Sequence, residues 1–273
     1  MLIDLHLHST FSDGTFTPEE LVLQGRKLGI SVLALTDHDT TAGLPEFRRA
    51  CKKQRMACVS GIELSADFPG TLHILGYRID SDDGGLEKAL SRVQTGREDR
   101  NSAMIRKLGD LGMDITMEEV RKEAGGDIVG RPHMARILVK KGYVPDGSAA
   151  FSRFLQKGAP AYKDRFRLSP SECIALIRRA GGVAVLAHPG QTSENTGELK
   201  KILSDLKKEG LWGLECITPK HRAEQCVEYL TLAAEFSLFP TAGSDFHGMN
   251  ASSSMGISVA DDFLPWARLG VRL

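Results

Sequence analysis

Short apolar runs alternate with longer amphipathic stretches along most of the chain. The first run is Leu2 to Leu5. Such runs, bounded by turn residues, read as buried strands, and the 3.6-residue patterns between them read as helices. A helix is predicted from Thr17, with Pro18 at its first position, Glu20 completing a capping box and Gly29 as its stop. Val32 to Leu35 reads as the second strand, and a charged helix from about Leu44 to Arg55 follows it. Further strands are predicted at Ala57 to Ile62 and Leu72 to Gly76.

The rhythm then changes. From Ser81 to Ala159 the pattern is helical, with charges of both signs and no clear buried strand. It resumes at Ser169, where Pro170 and Glu172 repeat the capping signal. Val183 to Ala187, Leu214 to Ile217 and Leu238 to Ala242 read as strands, and Thr196 to Glu209 and His221 to Phe236 as helices. Alternating strands and helices imply a parallel sheet. The expectation is an α/β barrel of about seven β-α units, formed by residues 1–80 and 160–273 and interrupted by a helical cap at 81–159.

Composition narrows the partners. The chain has 273 residues, 41% of them hydrophobic, enough for one large core, and its formal net charge is zero. Proteins that bind long nucleic acid need a basic excess, so long nucleic acid is not expected. A small anionic substrate held by a local positive site fits better. The five cysteines form no C-x-x-C pair and read as free thiols in a reducing compartment. Asp4, His6 and His8 interrupt any N-terminal leader, and no run has the length of a membrane span. The expectation is a cytoplasmic protein with no membrane association and no obligate protein partner.

The polar residues carry the chemistry. His6 and His8 lie just past the first strand, with Asp13 in the same loop. Asp37, His38 and Asp39 follow the second strand and Glu63 the third, and His73 lies within the fourth. His188 follows the fifth strand, and Asp245 and His247 follow the last. The carboxyl ends of barrel strands share one rim, so these residues are predicted to converge. Imidazole and carboxylate together suit divalent ions, and the i, i+2 spacing of His6 and His8 on an extended strand turns both rings to one side. One histidine alone is more often a satisfied polar residue than a ligand. That explanation has to be repeated six times at one rim here.

Other residues take plainer readings. Asp4, Asp37 and Asp39 fit carboxylates that steady ligating histidines. Glu215 either joins the rim or pairs with a surface lysine. His221 reads as a helix cap or a solvent-facing residue, and the run of Lys200, Lys201, Lys207 and Lys208 as a solvated helix face. Gly130-Arg131-Pro132-His133 is a turn before a helix. It is also an arginine fork at a helix start, which suits phosphate. Arg131 and His133 are therefore candidate substrate contacts, as is Lys163 beyond the cap.

Asp4-Leu5-His6-Leu7-His8, Thr36-Asp37-His38-Asp39, Gly61-Ile62-Glu63, Ala187-His188-Pro189 and Gly243-Ser244-Asp245-Phe246-His247 together resemble the polymerase and histidinol phosphatase (PHP) family, in the family's order. The cap with its Gly130-Arg131-Pro132-His133 resembles the branch of nucleoside 3′,5′-bisphosphate phosphatases and enzymes that trim short RNA from its 5′ end. The resemblance implies a distorted seven-stranded barrel with a trinuclear site. His6, His8, Glu63 and Asp245 would hold one ion, Glu63, His73 and His188 a second, and Asp13, His38 and His247 a third. Two or three divalent ions are implied, Mn²⁺ first, with Zn²⁺, Fe²⁺ or Mg²⁺ as alternatives. Glu63, Asp13, His38 and His247 would serve catalysis, and Asp13 and His38 would also touch substrate. The implied reaction is phosphate ester hydrolysis by a hydroxide shared between ions, on a small phosphorylated nucleotide or a short oligoribonucleotide. Two alternatives share the fold: a histidinol-phosphate phosphatase, against which the arginine-bearing cap argues, and a non-catalytic accessory module, in which the ligand set would have decayed. An amidohydrolase would place a lysine after strand four, where His73 stands instead.

Overall fold

In order along the chain come β1 (Leu2–Leu7), α1 (Pro18–Lys27), β2 (Val32–Leu35), α2 (Leu44–Gln54), β3 (Ala57–Ser65) and β4 (His73–Tyr77). The cap follows as α3 (Gly84–Asp110), α4 (Met117–Ala124), α5 (Arg131–Lys140), α6 (Gly147–Ala150) and a π-helical turn at Phe151–Leu155. Then come α7 (Pro170–Arg179), β5 (Val183–Leu186), α8 (Pro189–Thr192), α9 (Thr196–Glu209), β6 (Gly213–Ile217), α10 (Ala223–Glu235), β7 (Phe239–Ala242) and β8 (Ile257–Ser258). The computed structural model describes residues 1–125, 129–248 and 254–271.

The strands form one sheet in the order β7-β6-β5-β4-β3-β2-β1-β8. Beyond β7, Phe246 bridges to Leu7 at the end of β1, which nearly closes a barrel. Among the described residues the strand count is eight rather than seven. The extra strand, β8, spans two residues and pairs antiparallel with Leu2 and Ile3, too short to leave a sequence pattern.

The barrel is not wholly parallel. β4 runs antiparallel to both β3 and β5. Only residues 66–72 join β3 to β4, and a parallel crossover needs about a dozen residues or more. This reversal decides where His73 lies. As the first residue of β4 it pairs with Ser65, the last of β3, so it reaches the same rim as the carboxyl ends of the parallel strands.

β1 contains a bulge. Ile3 is opposite Val32 and Leu7 is opposite Leu35, so β1 spends one more residue than β2 over this stretch. The bulge changes which face the later residues occupy. Ile3 and Leu5 pack with Val32, Ala34, Leu75 and Tyr77 in one apolar cluster, sealed by Trp266, Leu269 and Val271. Leu7 joins Leu33, Leu35 and Phe47 in the other, beneath the helices. His6 and His8, on the opposite face from Leu7, are fully buried toward the barrel interior.

α3 belongs to two environments. Leu86, Leu90 and Val93 pack in the cluster of the barrel helices. Met104 and Leu108 pack with Val120, Met134, Leu138 and Leu155 in a separate cluster within the cap. The predicted caps of α1 and α7 are present as full capping boxes at Thr17 and Ser169.

Candidate metal centre

Glu63 is the centre of the rim. It lies inside β3, which runs on to Ser65, rather than after the strand; His6 likewise lies within β1. One carboxylate oxygen of Glu63, Oε2, is 3.4 Å from His6 Nε2 and 3.2 Å from His8 Nε2. The same two nitrogens are 3.5 and 3.2 Å from Asp245 Oδ1. The other oxygen, Glu63 Oε1, is 2.9 Å from His73 Nδ1 and 3.0 Å from His188 Nε2, and those two nitrogens are 3.2 Å apart. Asp13 forms a third focus, with Oδ1 3.3 Å from His247 Nε2 and Oδ2 4.0 Å from His38 Nε2. All nine sequence-predicted residues therefore meet in one cluster. His38 stands between two groups, because its Nδ1 is also 2.9 Å from Glu63 Oε2.

These residues fit divalent ions. His6 Nε2, His8 Nε2, His38 Nδ1, Asp13 Oδ1 and Glu63 Oε2 are buried and make no hydrogen bond. Such groups are costly unless something satisfies them. Two donor atoms bound to one ion at about 2.0–2.2 Å each lie roughly 3 Å apart, which is the spacing found here. Nitrogen and carboxylate oxygen are the usual set for Mn, Fe and Zn. Burial pushes the carboxyls of Glu63, Asp13 and Asp245 up, but the surrounding imidazoles outweigh it and hold all three well below the usual range. Burial pushes His73 down to about 4 in spite of Glu63, leaving its ring neutral. Ionised carboxylates and neutral imidazoles are the ligating forms.

Other carboxylates hold the donors in place. Glu215 joins the rim: Oε1 is 2.9 Å from His6 Nδ1, and Oε2 accepts the His188 backbone N–H at 2.7 Å. Asp37 accepts from Ser9 N–H, Ser9 Oγ and Ser12 Oγ, which shapes the loop carrying Asp13. Asp4 accepts from Ser244 N–H and Oγ and from Gly256 N–H, tying the segments after β7 to β1. His188 (φ 25°), Asp245 (φ 52°) and Asp39 (φ 53°) lie in the left-handed region. Backbone of this kind costs energy and concentrates at functional sites.

A cleft opens beside His38 and His73, and Arg97, Arg100, Arg131, Arg165 and Arg167 line it together with His133. Asp39 pairs with Arg97 and with Arg165, the latter at 3.1 Å, and Asp164 pairs with Arg167 at 2.7 Å. Burial and then the neighbouring Arg97 push the Arg165 guanidinium down to about 9. The cleft is electrostatically prepared for an anion. His133 Nδ1 accepts the Gly130 N–H at 2.9 Å, which leaves Nε2–H as a donor, and burial pushes the ring down to about 4.

Four arginines of this cleft stand outside the motifs but carry a signal in the sequence. Arg97 and Arg100 are three residues apart on α3, hence on one face, and Arg165 and Arg167 are two apart in an extended segment. Lys163, the residue singled out there, is exposed and lines none of the clefts described here. His221 does not cap α10, whose N-cap is Arg222, and it is half-buried. Its Nδ1 is 3.2 Å from Cys216 O and its ring packs on Tyr229. Lys220 was not anticipated; its ammonium pairs with Asp245. The five cysteines are free, and among the described residues no helix is long and apolar enough to cross a membrane.

A nearly closed barrel whose rim gathers histidines and carboxylates around shared foci defines a metal-dependent hydrolase. Residues 4–143 match the PHP domain, and the chain belongs to the PHP family. It is 32% identical over 247 residues to a 3′,5′-nucleoside bisphosphate phosphatase of Chromobacterium violaceum, covering 90% of this chain and 87% of that one. It is 34% identical over 245 residues to a 5′-3′ exoribonuclease of Haemophilus influenzae, covering 89% of each. A solved structure from Bifidobacterium adolescentis, assigned as a metal-dependent phosphoesterase, superposes with a TM-score of 0.86 at 33% identity, covering 95% of this chain and 92% of that one. The protein is a metal-dependent phosphoesterase, a phosphoric ester hydrolase of the PHP family.

Proposed function

We propose that the enzyme removes the 3′-phosphate of a nucleoside 3′,5′-bisphosphate, with Mn²⁺ as its metal. The observation that carries this reading is the arginine-lined cleft continuous with the metal centre. One phosphate reacts at the centre, and the cleft anchors the other. His6, His8, Glu63 and Asp245, then Glu63, His73 and His188, and Asp13, His38 and His247 would hold the ions. Bound divalent ions supply an activated water near neutral pH and charge neutralisation on the phosphoryl oxygens.

The residues of the chain do the rest. Arg131, on the first turn of α5, and the positive end of that helix's dipole present positive charge to the anchor phosphate. His133 offers Nε2–H as a further donor. Asp39 and Ser65 hold Arg97 in place, Asp39 through Arg97 Nε at 3.0 Å. Holding both phosphates orients the reacting one, the main requirement of phosphoryl transfer. The zero net charge of the chain agrees with a small anionic substrate. A non-catalytic role is disfavoured because all nine donors converge.

The test compares two substrates. A charge-assisted hydrogen bond is worth ~1.5–3 kcal/mol, so losing the anchor costs roughly ten- to a hundredfold in kcat/KM. Arg131→Ala is expected to lose that much on adenosine 3′,5′-bisphosphate and much less on p-nitrophenyl phosphate, which has no second phosphate. Equal losses on both would show that Arg131 does not read a second phosphate.

A further inference from the structure

Lys220 is a charged residue that neither the motifs nor the arginine cleft explains. It lies in the short turn between β6 and α10. His221 fastens that turn on both sides. Its N–H donates to Thr218 O at 3.0 Å, its Nδ1–H to Cys216 O at 3.2 Å, and its ring packs against Tyr229 of α10. Lys220 is thereby held at the rim. A lysine ordinarily keeps its ammonium in water. Here the side chain is only 30% exposed, and the ammonium sits on Oδ2 of the buried Asp245.

The two oxygens of Asp245 face different ways. Oδ1 lies 3.5 and 3.2 Å from Nε2 of His6 and His8 and 3.4 Å from Nδ1 of His247. Oδ2 turns to Lys220. An ammonium in this place works against an ion. It repels any cation at Oδ1, and it occupies the oxygen through which the carboxylate could grip that cation a second time. For tight binding alone, a neutral residue at position 220 would serve better. A catalytic ion needs more than tight binding, because it has to keep a position for water or substrate. The phosphate must also approach past several carboxylates, and a fixed positive charge at the edge of the centre eases that approach.

We propose that Lys220 is a positioning residue of the metal centre: it restricts Asp245 to one ligating oxygen, Oδ1, so that the ion there binds less tightly but keeps a position open to water and substrate. This rests on the reading above, in which Asp245 holds an ion together with His6, His8 and Glu63. It does not depend on which phosphate ester is cleaved. Lys220 lies apart from the arginine cleft, whose lining includes neither Lys220 nor Asp245, so its work is on the ion and not on the anchor phosphate.

The test reads Mn²⁺ affinity and turnover separately in the full chain. Calorimetric titration of metal-stripped protein with Mn²⁺ gives the affinity, and kcat on p-nitrophenyl phosphate is measured at saturating Mn²⁺. Lys220→Met keeps the length of the side chain and removes its charge. It is expected to bind one Mn²⁺ about tenfold more tightly, a change well within the repulsion between an ammonium and a neighbouring divalent ion. Its kcat is expected to fall about tenfold, since a misplaced ligand misaligns the reacting groups. The opposite signs separate this role from a merely structural one, which would weaken binding and turnover together. Lys220→Arg keeps the charge and is expected to lie closer to wild type in both quantities. Lys220→Gln serves if Lys220→Met does not fold. Unchanged or weaker Mn²⁺ binding in the folded neutral variant, an unchanged kcat, or a Lys220→Arg as far from wild type as Lys220→Met overturns the proposal. Asp245→Asn tests the reading beneath it and is expected to lose Mn²⁺ affinity. Wild-type affinity in that variant would remove Asp245 from the ligands, and the proposal with it.

Discussion

Glu63 concentrates the argument at the scale of a residue. Its two carboxylate oxygens face different imidazoles, Oε2 toward His6, His8 and His38 and Oε1 toward His73 and His188. With one oxygen toward each group, Glu63 is placed to serve two ions at once. Glu63→Gln keeps the shape, removes the charge and turns an amide NH₂ toward imidazole nitrogens. Activity is expected to fall at least ~10²–10³-fold, the usual loss when one strong electrostatic contact to a reacting centre is removed. Elemental analysis is expected to show at least one ion fewer per chain, with circular dichroism unchanged because the apolar clusters lie elsewhere. Wild-type activity and metal content in this variant would remove Glu63 from the centre.

At the scale of elements, the decisive feature is how the cap is fastened to the barrel. Asp39, just past β2, accepts from Arg97 on α3 and from Arg165 on the segment that returns from the cap. All three side chains are at least nine-tenths buried. Removing one member of a buried ion network costs about 3–5 kcal/mol, because the partners stay charged and uncompensated. Asp39→Asn is expected to lose about that much in urea unfolding. The pH dependence has a definite sign. Burial raises the Asp39 carboxyl, but Arg97 and then Arg165 outweigh it, so the folded value lies below the unfolded one. Its contribution is therefore present above the unfolded value of about 3.9 and is lost as pH falls below it. The wild-type protein is expected to lose stability more steeply than Asp39→Asn below that pH.

The same scale shows what the chain reveals by itself. The nine candidate donors were legible because histidines and carboxylates at successive strand ends form a repeated pattern. The helix starts at Thr17 and Ser169 were legible because capping is local chemistry. The direction of β4 was not, since its apolar run reads alike either way, and only the seven-residue connection betrays the reversal. The bulge in β1 and the left-handed backbone at His188 depend on the neighbouring strands and leave no local mark. The arginines of the cleft escaped for a different reason. Arginine is an ordinary surface residue, and only the docking of α3 on the barrel turns Arg97 and Arg100 inward.

On the scale of the whole molecule, the centre exists only when the barrel closes. Its donors run from His6 to His247 and come from strands at both ends of the sheet order. Closure needs Gly243, where a Cβ would meet His6 Cβ at 2.4 Å and His6 N at 2.7 Å. Ions that bind only the closed barrel stabilise it by mass action, about 4 kcal/mol at a thousandfold excess over Kd. The imidazoles that must lose protons on binding make that affinity rise with pH. Metal dependence is thus the central claim, and metal content measured alongside activity tests it most directly. Purified enzyme is expected to carry two or three divalent ions per chain, to lose phosphoesterase activity on verified removal by chelator, and to regain it with Mn²⁺. Full activity in protein shown by elemental analysis to be free of metal would contradict the account.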